Sequence, residues 1–122
     1  AESDDEFCSL QRSARMISFQ DFQKVEIKVG RVVAVEDHPN ADKLIIIRAD
    51  VGEESPRTLV AGLKGHYAAE ELEGKLIVVV TNLEPARLRG VQSDGMLLAA
   101  QEADKIVLLT FDRDISPGSP VL

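Results

Sequence analysis

Lys24-Val25-Glu26-Ile27-Lys28-Val29-Gly30-Arg31-Val32-Val33-Ala34-Val35 is the stretch on which the fold turns. Val25, Ile27 and Val29 alternate with Lys24, Glu26 and Lys28. A period of two is the mark of a strand with one face buried. Gly30 interrupts the pattern, and Val32, Val33 and Val35 continue it. Glycine inside a strand pattern marks a bend or a bulge. One long, sharply curved strand is what a small closed barrel needs.

Working outward, Ser18 to Phe22 reads as a short helical turn capped by Ser18. Phe19 and Phe22 are expected to plug one end of the core. Downstream, His38-Pro39-Asn40-Ala41-Asp42 is a turn, Leu44 to Val51 a second strand and Gly52 to Pro56 a hairpin loop. Thr58 to Leu63 is a third strand. His66 to Leu72 then brings helix formers, and Leu76 to Val80 is an apolar run expected to be buried on both faces. Asn82 to Asp94 reads as a polar loop, Gly95 to Ala100 as a fifth strand and Ile106 to Thr110 as another. Pro117 to Pro120 is a turn leading to Val121 and Leu122. Three strands, a short helix and two strands, with a further pair after them, is the order of an OB-fold. The expected class is all-β with one or two short helices: a five-stranded barrel with additional terminal strands. Residues 1–15 lack periodicity and read as a flexible tail or linker, which leaves 16–122 as the domain.

The composition agrees with one packed domain. Of 122 residues 44% are hydrophobic but only 4% aromatic, with no Trp, so the core must be aliphatic. No apolar run has the length of a membrane span, and the acidic first residues do not read as a signal peptide. A single cysteine, Cys8, excludes an internal disulfide. With no Cys/His cluster, neither metal nor cofactor is expected, and a reducing cytoplasm is the expected compartment. The net charge is −7. Residues 1–15 hold four acids and two bases, so the remainder still carries −5. Charge alone argues against a general polyanion binder. Any site for a polyanion must be a local cationic face on an acidic body, which would repel the ligand elsewhere.

Two segments take the reading further. One is His38-Pro39-Asn40-Ala41-Asp42-Lys43-Leu44, and the other runs Asn82-Leu83-Glu84-Pro85-Ala86-Arg87-Leu88-Arg89-Gly90-Val91-Gln92-Ser93-Asp94-Gly95-Met96-Leu97-Leu98-Ala99-Ala100. With Arg57 to Leu63 between them, they resemble the tRNA-binding domain at the C-terminus of many methionyl-tRNA synthetases. Free-standing bacterial tRNA-binding proteins and the cytokine-like cofactors of multisynthetase complexes carry the same domain. The resemblance covers roughly residues 17–122. It implies an OB-fold that grips the outside corner of tRNA by shape, raises a synthetase's affinity for tRNA and pairs as a homodimer through segments outside the barrel.

Arg87 and Arg89 are two apart, and in an extended segment their side chains would point the same way, toward neighbouring phosphates. Two solvated loop charges remain the bland alternative. Ser93 could donate to a phosphate or a ribose 2′-OH. The resemblance associates Met96 with RNA binding, while a core methionine fits the spacing equally well. Asn40 could fix its own turn or meet RNA, the turn role being favoured for Pro39, Asn40 and Asp42 and a mixed role for Lys43. Lys28, Arg31, Arg48, Arg57 and Lys64 lie on or beside the first three strands. The OB ligand surface uses the strand 2–3 face and the loops joining strands 1 to 2 and 4 to 5. Those loops are residues 37–43 and 82–94, the two motif segments. Aromatic platforms for single strands are scarce, which suits a folded RNA better.

No enzyme emerges. His38 and His66 have no neighbour marking either as a base for a nucleophile, and no Gly-rich phosphate loop is present. Three other readings stay open: a secretion-type chaperone of the same fold, a piece of a phenylalanyl-tRNA synthetase β chain, and a dimerisation appendage of a synthetase.

Overall fold

The computed structural model describes residues 16–122. The expected 1–15 linker lies outside the described residues. Helix α1 (Phe19–Gln23) begins as expected, with Ser18 Oγ accepting from the Asp21 N–H at 3.0 Å. Strand β1 (Ile27–Asp37) is the long strand, followed by β2 (Ile45–Asp50) and β3 (Arg57–Ala61). After the four-residue helix α2 (Ala69–Leu72) comes β4 (Leu76–Val80). Five short strands complete the chain: β5 (Ala86–Leu88), β6 (Val91–Ser93), β7 (Met96–Leu97), β8 (Ala99–Glu102) and β9 (Lys105–Leu108).

One antiparallel sheet in the order β3-β2-β1-β4-β7 curls into a nearly closed barrel. β3 and the β6–β7 corner meet through the Asp94 N–H, which donates to Thr58 O at 2.8 Å. The interior is aliphatic, as the composition requires: Val32, Ile45, Ile47, Leu59, Ile77 and Val79 are at its centre. β4 is buried on both faces, as its unbroken apolar run implies.

Gly30 is not a bulge: β1 pairs with β4 in unbroken register through it. A Cβ there would lie 2.9 Å from Val79 Cγ2, so the glycine lets β1 pass close over β4. The register irregularity sits instead between Val32 and Ala34, three residues later. β1 pairs with β4 from Ile27 to Arg31 and with β2 from Arg31 to Asp37. The half of β1 that β2 leaves bare is covered by the chain's end: Gly118 N–H donates to Val29 O and Val121 N–H to Ile27 O, both at 2.8 Å.

Two expectations are corrected. Phe19 and Phe22 are 72% and 46% exposed and plug nothing. Leu72 of α2, fully buried in the core cluster, is the helical residue that fills the interior. The expected fifth strand is split at Leu98, β7 pairing with β4 and β8 turning away to pair with β9.

Candidate nucleic-acid interface

Residues 82–94 are not a plain loop. β5 and β6 pair with Leu88 opposite Val91, so Arg89 and Gly90 form a two-residue turn. Their φ angles are 53° and 90°, both left-handed. Two left-handed residues define the type I′ turn, whose twist matches paired strands. Arg87 and Arg89 therefore do not share one extended face: Arg87 is on β5 and Arg89 is at the tip. Gly90 adopts its angle readily, whereas an arginine there costs roughly 1–2 kcal/mol. Such strain persists only where surrounding contacts hold it, and it concentrates at functional positions. Arg87 Nη1 donates across the turn to Gly90 O at 2.9 Å. The whole of β5 and the turn are exposed.

The hairpin leans on the β1–β2 loop. His38, only 6% exposed, lies 2.9 Å from Leu88 O through Nε2, and Asn40 Nδ2 lies 3.5 Å from Arg89 O. The structure thus brings Asn40, Arg87 and Arg89 together, with Lys43 exposed on the same loop. Among the described residues, no carboxylate forms an ion pair with Lys43, Arg87 or Arg89.

The remaining sequence candidates fall elsewhere or are occupied. Arg31 pairs with Asp114 at 3.1 Å and also donates to Gly74 O. Arg48 pairs with Glu36 at 3.0 Å, and Lys64 with Asp37. Lys28 is half-buried at the opposite end of β1 from the 38–43 loop, bridging to Pro120. Ser93 is buried, its hydroxyl accepting from Val60 N–H at 3.0 Å and donating to Gly95 O at 2.9 Å. It closes the barrel rather than facing outward. Met96 is 49% exposed on β7, beside an open cavity of about 290 Å³ bordered by Val60, Gly62 and Ala99.

Arg57 is an internal clamp. Nε and Nη2 grip both oxygens of Glu53 at 2.8 and 2.9 Å, while Nη1 donates to Thr81 O at 2.6 Å and Asp94 O at 2.9 Å. One guanidinium so joins β3, the end of β4 and the β6–β7 corner. Its hydrogen bond to Glu53 and, less, its charge hold that carboxyl below the ordinary 4.5. Sequence placed Arg57 among the candidates for RNA contact, and here its guanidinium nitrogens are all engaged within the chain.

Sequence reasoning missed the I′ turn and the part played by His38. The turn has one legible signal, Gly90, but arginine is not a residue that announces left-handed backbone. Among the described residues, no group of three or more His, Cys, Asp or Glu side chains is placed to hold a metal ion. No described helix is long and apolar enough to cross a membrane.

A five-stranded antiparallel barrel with an exposed loop cluster at one mouth defines the OB class of oligonucleotide- and oligosaccharide-binding modules. Within that class, residues 27–120 match the tRNA_bind family model, described as "Putative tRNA binding domain", and the chain belongs to this family. The family is a binding domain, not a catalytic one. The chain is 48% identical over 111 residues to a methionine–tRNA ligase of Pyrococcus furiosus, covering 91% of this chain and 15% of that protein's length. The corresponding Thermotoga maritima ligase is 50% identical over 105 residues, covering 86% of this chain and 16% of the ligase. A solved MetRS-related protein from Pyrococcus horikoshii superposes with TM-score 0.80 at 35% identity, covering 88% of this chain and 99% of that one. The CsaA chaperone of Bacillus anthracis superposes with TM-score 0.79 at 30% identity, with the same coverage.

Proposed function

We propose that this domain binds the folded outer corner of tRNA through the tip made by Arg87, Arg89, Asn40 and Lys43, and so assists a methionyl-type synthetase in the cytoplasm. It does so either as an appended domain or as a partner in trans. The observation that carries the reading is the sorting of cations. Arg31, Arg48, Arg57 and Lys64 each form an ion pair with an acid, whereas Lys43, Arg87 and Arg89, exposed on the two loops of one mouth, form none among the described residues. Unpaired guanidiniums suit phosphate oxygens, and the names of the relatives fit that ligand. The test is a titration with total tRNA at several salt concentrations. Three phosphate contacts give a slope of log K against log salt of roughly −2 to −3. Absent or salt-independent binding would overturn the proposal.

The molecule acts as a homodimer in this reading. An open cleft of about 380 Å³ lies between α1 and the chain's end, lined by Phe19, Phe22, Val25, Val121 and Leu122. Exposed aromatic and aliphatic side chains grouped in this way mark a protein contact. Sedimentation at micromolar concentration is expected to give twice the chain mass, and a monomer there removes this part. The same cleft supports a second reading, capture of extended polypeptide, in line with the CsaA-like neighbour. In that case an unfolded polypeptide binds and tRNA does not.

A further inference from the structure

His38 is a turn residue by sequence, yet its ring is buried and both nitrogens are used. Nδ1 accepts from the Asn40 backbone N–H at 2.9 Å. A backbone N–H can only donate, so Nδ1 carries the lone pair. In the neutral ring the hydrogen is then on Nε2, which donates to Leu88 O at 2.9 Å. Leu88 is the last residue of β5, directly before the Arg89-Gly90 turn. The backbone N–H of His38 itself meets Leu44 O at 3.4 Å, where the loop closes onto β2. One imidazole therefore shapes the 38–44 loop with one nitrogen and holds the arginine hairpin with the other.

We propose that His38 is a positioning residue for the RNA-binding tip. As the Nε2–H tautomer it docks β5–β6 on the β1–β2 loop, so that Arg87, Arg89 and Lys43 meet the RNA backbone as one prearranged surface. The inference rests on the tRNA-binding reading above. Its physical basis is that the base of the hairpin is fixed to β3 through Ser93 and Asp94, while its tip extends beyond that seam, where a two-stranded ribbon with three-residue strands is marginal in water unless docked. Undocked, the hairpin must be ordered at the moment of binding, and affinity falls by that cost. A histidine serving only its own turn would need Nδ1 alone.

Two substitutions separate the nitrogens. His38→Asn keeps an acceptor for the Asn40 N–H, in the geometry of an Asx-turn, but cannot reach Leu88 O. His38→Gln sets an amide N–H at the Nε2 position and reaches Leu88 O, but gives up the short acceptor. Each is made in the full chain and followed by amide exchange and by tRNA titration. In His38→Asn the Leu88 to Gln92 amides are expected to exchange about tenfold faster while core amides such as Ile47 and Val79 keep their protection. Its tRNA affinity falls about fivefold, and the salt slope becomes shallower by about one phosphate contact, near 0.7–0.9. His38→Gln restores hairpin protection and brings affinity to within about threefold of wild type.

Wild-type protection of the hairpin in His38→Asn overturns the inference, whatever RNA does. A loosened hairpin with unchanged affinity and slope overturns it too. If His38→Asn does not fold, His38→Gln decides: a docked hairpin with near wild-type affinity supports the proposal, and an undocked one with the same affinity ends it. Failure of the wild type to bind tRNA is a different result and removes the underlying reading instead.

Discussion

Replacing Arg87 and Arg89 together by alanine is expected to weaken tRNA binding about tenfold or more while the domain stays folded. A charge-assisted hydrogen bond contributes about 1.5–3 kcal/mol, so losing two gives room for that effect. Screening shrinks it, and the measurement belongs near physiological ionic strength. The fold should not notice, because both side chains are exposed and the bond from Arg87 to Gly90 O is at the surface. A melting temperature within about 2 °C of wild type checks this. Arg89→Asn gives the sharper contrast. Asn-Gly is the favoured pair for a type I′ turn, so stability should rise by about 0.5–1 kcal/mol. tRNA affinity should fall all the same. Undiminished affinity in a folded double variant would move the site elsewhere on the barrel.

Arg57→Ala is expected to cost about 2–4 kcal/mol, because the two part-buried carbonyls of Thr81 and Asp94 lose a charged donor. The partly exposed pair with Glu53 adds no more than about 1 kcal/mol. At about 4 °C per kcal/mol for a domain of this size, the melting temperature drops by roughly 8–16 °C. tRNA affinity measured well below that temperature should change less than about threefold, since every contact of the guanidinium is internal. A large loss of affinity with an unchanged melting temperature would restore Arg57 to the RNA face. Acid tests the same clamp from its other side. Glu53 has its pKa lowered on folding, so its contribution is complete above the unfolded value near 4.5 and is lost as pH falls through the lower folded value. Glu53→Gln should flatten the stability curve in that acid range, and an unflattened curve would show that the pair is idle.

How much of this was legible beforehand varies by residue. The alternation from Val25 to Val29 gave the strand but not its burial, since Val25 is exposed ahead of β1 and Ile27 and Lys28 are both half-buried, whereas the unbroken apolar run Leu76 to Val80 gave both strand and burial. The two motif segments do meet at one mouth, which strand order alone implies. The pairing of cations was not legible. Arg31 meets an acid 83 residues away, and no local pattern reports that. The β5–β6 hairpin hid because its turn uses Arg-Gly, a strained choice that tertiary contacts with His38 and Asn40 sustain. Ser93 read as a surface hydroxyl because a polar side chain in a polar stretch gives no hint that a barrel seam needs it. Phe19 and Phe22 read as core because size was taken for depth, whereas α1 sits outside the barrel.

The last residues set where this domain can safely be cut. Gly118 to Val121 lies along β1 like the final stave of a cask. A chain ending before Gly118 would leave the amide and carbonyl of Val29 and the carbonyl of Ile27 facing water on a valine-rich strip. An uncovered edge of that kind invites another barrel to stack against it. The practical boundary of the folding unit therefore lies past Val121, well beyond the last residue of the five-stranded sheet.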